Sequence, residues 1–125
     1  MLNRILAATA VLACSALPLA AQGHQKAAGN EMTITGQVID LNCHTTNGAS
    51  GAGHKACAQA CAKAGVPYGI LASDGTIYVP VSSKPGDSQN SRLDQYAEGK
   101  VKVAGTHRFV SGLHTIEIKT VSTGS

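Results

Sequence analysis

From residue 32 onward the chain alternates apolar and polar side chains in short runs broken by turn residues, and that pattern commits it to β-structure. Met32, Ile34, Gly36 and Val38 alternate with Thr33, Thr35 and Gln37, which predicts a half-buried strand. The phase then slips, with Ile39 and Leu41 apolar, as a bulge in a long curved strand would produce. Residues 68–72 and 76–81 flank Ser73-Asp74-Gly75, and an Asp-Gly pair between β-rich runs signals a hairpin. Val101 and Val103 alternate with Lys100 and Lys102. Residues 108–110 and 113–121 predict a second hairpin across Ser111-Gly112.

Two segments break the β-pattern. Residues 54–64 (HKACAQACAKA) are rich in Ala, the strongest helix former, Gly65 sits where a helix cap belongs, and Pro67 stops continuation. A shorter helix through Leu93 and Tyr96 ends at Gly99. Residues 45–53 (TTNGASGAG) read as a flexible loop. The expected fold is therefore mainly β with two short helices. Five strands with a helix before the fourth match the order of an OB-like barrel, with a Cys-bearing helical insertion after strand 1. Closing the sheet removes the exposed edges that short strands would otherwise present. An open α+β sandwich of the same strands is the alternative.

The N-terminus reads as an address. Arg4 precedes an apolar run through Ala13, Pro18 breaks it, and Ala20-Ala21 offers a small-residue cut site, which together describe a secretory signal over residues 1–21. The run is too short and too interrupted for a membrane span. The competing reading makes Cys14 a lipidated cysteine, and either route consumes it. Residues 22–31 (QGHQKAAGNE) lack apolar period and read as a disordered leader, leaving residues 32–125 as one domain. The expected location is outside the cytoplasm, in the periplasm, with a lipoprotein as the alternative. A net charge of +3 and only four aromatics argue against nucleic acid, whose single strands stack on several aromatic side chains.

Every cysteine left after processing falls within one stretch: Asp40-Leu41-Asn42-Cys43-His44, then His54-Lys55-Ala56-Cys57, then Cys61. On a helix, His54, Cys57 and Cys61 share a sector of about 60°, and i, i+4 spacing aims two side chains at one ion. Cys43 supplies a third thiolate from the strand end. His54 closes a Cys₃His set able to hold Zn²⁺ or Cu(I) as the cofactor. Positions 54 and 61 lie about 10.5 Å apart along a regular helix, so His54 serves only if it lies just before the helix or reaches along it. His44 is the substitute.

The competing reading is a disulfide. Exported cysteines usually pair, and Cys43 could join Cys57 or Cys61. Three thiols cannot all pair within one chain, so one remains for a metal, a partner or a redox task. His107 and Phe109 share a strand face and read as packing, and His114 as a core or barrel-end histidine. Asp40, Asp74 and Asp94 each read as a local turn or cap residue. His24 lies in the leader. No nucleophile elbow, phosphate-cradling loop or carboxylate pair is present, so no catalytic residue is assigned.

These residues also form a recurring pattern. Gly36-x-Val38-x-Asp40-x-x-Cys43, then His54-x-x-Cys57-Ala58-x-x-x-Cys61, Gly65-x-Pro67-x-Gly69-Ile70-Leu71 and Asp74-Gly75-x-x-Tyr78 resemble a group of small exported bacterial proteins with an OB-like fold. The likeness spans about residues 32–121 and implies export and that fold, without an activity. The expectation is a non-enzymatic exported domain that binds metal through Cys43, His54, Cys57 and Cys61, in a structural or metal-handling role. Its implied partner is a metal donor or acceptor protein, with no membrane contact beyond the signal or a lipid at Cys14. The alternative is a disulfide-stapled or thiol-redox binding module.

Overall fold

A computed structural model describes residues 27–125; the signal segment, Cys14 and most of the leader, with His24, lie outside the described residues. Strand β1 (Asn30–Asp40) serves two neighbours. Its first part pairs antiparallel with β4 (Lys100–Val110), from Asn30 opposite His107 to Gln37 opposite Lys100. Its last part pairs with β2 (Tyr68–Ala72), from Gly36 opposite Ala72 to Asp40 opposite Tyr68. The overlap at Gly36 and Gln37 is where the sheet curls around. A side chain at Gly36 would sit 2.5 Å from the Leu71 carbonyl oxygen, so only glycine lets the two strands approach there.

Strands β3 (Ile77–Val81) and β5 (Leu113–Thr123) complete a closed barrel in the order β1-β2-β3-β5-β4. The β3–β5 pair is parallel and all the others antiparallel. Val38, Ile70, Val101, Val103 and Ile116, each fully buried, fill the interior. The barrel with a helical insertion between β1 and β2 is the fold that the strand pattern implies.

Three local differences from that pattern matter. The phase slip at Ile39 is not a bulge: β1 ends at Asp40 and the chain turns directly into helix α1 (Leu41–Asn47), giving three short helices instead of two. Asp40 caps α1, its Oδ1 accepting from the Cys43 amide at 2.9 Å, and Gly48 ends the helix in a left-handed turn. The loop read over residues 45–53 is therefore partly helical. The register of the sheet shifts instead between Ala104 and Gly105, opposite the extra residue Lys119 of β5, while β4 runs unbroken to Val110. Finally, β1 begins at Asn30, so Asn30 and Glu31, read with the leader, are paired with β4.

Helix α2 (Lys55–Lys63) follows a short 3-10 turn over Ala52–His54. It ends in a Schellman arrangement: Gly65 takes φ +99°, Val66 N donates to Cys61 O and Gly65 N to Ala62 O. Ala58 is the one buried residue of α2 and joins the barrel core, as does Leu93 of helix α3 (Asn90–Leu93). Asn90 ties these parts together, donating to the Ala62 and Val66 carbonyls at 3.2 and 2.9 Å while its Oδ1 accepts from Tyr68 N at 3.3 Å.

Candidate metal centre

The strand end, α1 and α2 converge at one end of β1. Asp40 is the last residue of β1 and is 1% exposed, and Cys43 follows within the first turn of α1. His54 stands immediately before α2, the position from which an imidazole can reach the same ion as a cysteine of the helix. The Ala-rich sequence around Cys57 and Cys61 keeps α2 narrow, with Ala58 turned into the barrel and Cys57 exposed.

Two sets of potential ligand atoms result, with all atoms of each set within 4.8 Å of one another. One comprises Cys43, His54 and Cys57; the other Asp40, Cys43 and Cys61. A tetrahedral zinc site with Zn–S bonds near 2.3 Å spaces its sulfurs about 3.8 Å apart, so each set needs only a small contraction around an ion. The four residues read from the sequence are thus brought to one locality, but not into one mutually close group. Cys43 belongs to both sets, and Cys61 sits with Asp40 instead of with His54 and Cys57. His44 belongs to neither set, and its buried Nδ1 has no hydrogen-bond partner. All three cysteines are free thiols, so no disulfide staples the insertion among the described residues.

The electrostatics follow from Asp40. Burial alone raises its carboxyl, but the Cys43 amide and the adjacent Cys61 and Cys43 thiols outweigh it and hold the pKa below the usual aspartate value. Its Oδ2 is buried and has no well-formed hydrogen bond. In return, the Asp40 carboxylate, together with burial and the other sulfurs, pushes the Cys61 thiol up to about 12. Burial and then Asp40 raise the Cys43 thiol as well. The metal-free cluster therefore holds these two thiols protonated around neutral pH, and an ion entering it must displace protons.

Reading the sequence for the site missed two carboxylates. Asp40 has the capping role expected of it, and is also a neighbour of two thiols. Glu98, in the link before β4, has a fully buried side chain, and its Oε1 lies 2.9 Å from His54 Nδ1. Its separation of 44 residues from His54 leaves no local spacing signal; its position next to Gly99 was the only hint that a turn residue sits there. His107, read as packing, and His114, read as a core or barrel-end histidine, contact each other at 3.0 Å through Nε2 and Nδ1 on the barrel wall beside Tyr78. No family model, curated protein or solved structure matches the chain.

Proposed function

We propose that this protein is an exported, non-enzymatic domain that binds one soft or borderline metal ion, Zn²⁺ or Cu(I), through its cysteine and histidine cluster. The supporting observation is the mutual proximity of the Cys43, His54 and Cys57 ligand atoms, all within 4.8 Å, at the mouth of a helical insertion. Two thiolates and an imidazole suit either ion, and Cys61, placed next to Cys43, supplies the fourth donor. Such a centre would bond together the strand end, α1 and α2, which is a structural role. With Cys57 exposed, it is also open to exchange of the ion with a donor or acceptor protein.

Elemental analysis by mass spectrometry on reduced, untagged protein tests this reading. About one equivalent of Zn²⁺ or Cu(I) is expected in the wild type, lost in a Cys57→Ser, Cys61→Ser double variant. Unchanged stoichiometry in the double variant would remove those residues from the site. The second reading, a thiol-redox module, is favoured by the shared position of Cys43, whose sulfur is near both others. It requires a disulfide plus one free thiol in protein taken from the export compartment, which intact-mass measurement after alkylation distinguishes from three metal-bound thiols.

A further inference from the structure

We propose that Glu98 is the positioning residue of the metal centre: it holds His54 as the Nδ1–H tautomer, so that Nε2 is the nitrogen presented to the ion. The inference rests on the metal-binding reading and adds to it a residue 44 positions away in sequence. Glu98 has a side chain with no exposure, and no lysine or arginine pairs with it among the described residues. A lone buried carboxylate is costly, so each of its oxygens should be engaged. They are. Oε2 accepts from the Gly51 amide at 2.7 Å and from Gln37 Nε2 at 3.1 Å, and Oε1 faces His54 Nδ1 at 2.9 Å.

Oε2 already accepts from two N–H groups, and with Oε1 accepting in turn from Nδ1 the free lone pair of the ring lies on Nε2. A metal-ligating histidine typically has its other ring nitrogen donating in this way, which fixes the ring and makes it a stronger base. The backbone is arranged for the task. Among the described residues Glu98 is one of two non-glycine residues at positive φ, at 62°, and Ser111 in a hairpin turn is the other. That conformation is held from both sides, with Glu98 N donating to Val38 O and Val38 N donating to Gly99 O, each at 2.9 Å. A glutamate in the left-handed region is strained and persists there only where surrounding structure fixes it. Here that structure is β1, the strand that also leads to Asp40. The same carboxylate grips Gly51, so one side chain sets both the path of the Gly-rich loop and the direction of the imidazole at its end.

A merely structural clamp on the loop would leave the tautomer and the affinity for the ion unspecified, and this separates the two roles. Full-length reduced protein labelled with ¹⁵N and loaded with Zn²⁺ should show His54 protonated at Nδ1 and zinc-bound at Nε2 in long-range ¹H–¹⁵N correlation spectra. Glu98→Gln preserves the shape but removes the charge, and should weaken Zn²⁺ binding by about 10- to 100-fold in competition with a chromophoric chelator. Zinc on Nδ1 of wild-type His54 would overturn the proposal without any variant, even if Glu98→Gln failed to fold. So would a folded Glu98→Gln protein that binds Zn²⁺ within about twofold of wild type. A wild type that takes up neither Zn²⁺ nor Cu(I) would overturn the metal-binding reading itself, and this proposal with it.

Discussion

The Asp40 carboxylate and the Cys61 sulfur, one at the end of the first strand and the other in the second turn of α2, lie within 4.8 Å of each other and of Cys43. The contact joins a residue that caps one helix to a thiol of the next, and it alters the acidity of both groups.

Replacing that charge should release the thiol. Asn is as good a helix N-cap as Asp, so Asp40→Asn should leave α1 capped while removing the negative charge beside Cys61. The Cys61 pKa is expected to fall from about 12 toward the ordinary value of 9.0. Alkylation of the metal-free reduced protein at graded pH, followed residue by residue with peptide mass spectrometry, should show Cys61 labelling at lower pH in the variant. An unchanged profile would mean that Asp40 is not what keeps the proton on.

The same shift sets a direction for stability against alkali. The folded protein holds the Cys61 proton more tightly than the unfolded chain does, and a raised pKa of this kind contributes stability below pH 9.0 that is lost as pH rises toward about 12. The Tyr68 hydroxyl acts in the same sense, its pKa raised by burial and by its 2.9 Å hydrogen bond to Asp94. Urea midpoints of the metal-free protein should therefore hold steady through neutrality and decline above pH 9. Cys61→Ser should make that decline shallower without abolishing it, since Tyr68 remains.

Affinity for the ion should depend on how α2 is seated. Ala58 is fully buried in the barrel core on the helix that carries Cys57 and Cys61. Ala58→Leu adds three carbons at this fully buried position, at an expected cost of about 1–3 kcal/mol. It should also lift α2 away from Cys43 and reduce Zn²⁺ affinity. Wild-type zinc affinity in this variant would show that the ligands do not depend on the fit of the helix.

Asn90 provides a polar counterpart to that packing. Its three hydrogen bonds connect the end of α2 with the start of β2, and Asn90→Ala strands two carbonyls and one amide at that junction. Thermal or denaturant unfolding should register a loss of about 1–3 kcal/mol. A loss below a few tenths of a kcal/mol would mean that water replaces the side chain at no cost.

The strands were legible because period-two alternation survives closure into a barrel: Val101 and Val103 point inward and Lys100 and Lys102 outward, as their parity requires. The Asp74-Gly75 and Ser111-Gly112 turns also follow local chemistry, with both glycines at positive φ. Helix α1 was not legible. Its sequence, LNCHTTN, has no buried residue and no strong helix formers beyond Leu41, so its helicity depends on the Asp40 cap and the docking of its ends. The run Val38-Ile39-Asp40 misled for a related reason: all three residues are buried, which erases alternation and mimics a bulge.

What the sequence determined by itself was the strands, helices α2 and α3, and the candidate metal ligands, because strand parity, helix propensity and the crowding of three cysteines and two histidines between residues 43 and 61 are local properties. Only the tertiary structure decided how those side chains are grouped. Closing the barrel pairs β1 with both β2 and β4, and so brings Cys43 between two sets of potential ligands and Glu98 against His54. Contacts across a closed sheet depend on register and curvature accumulated over the whole chain, and no short-range spacing encodes them.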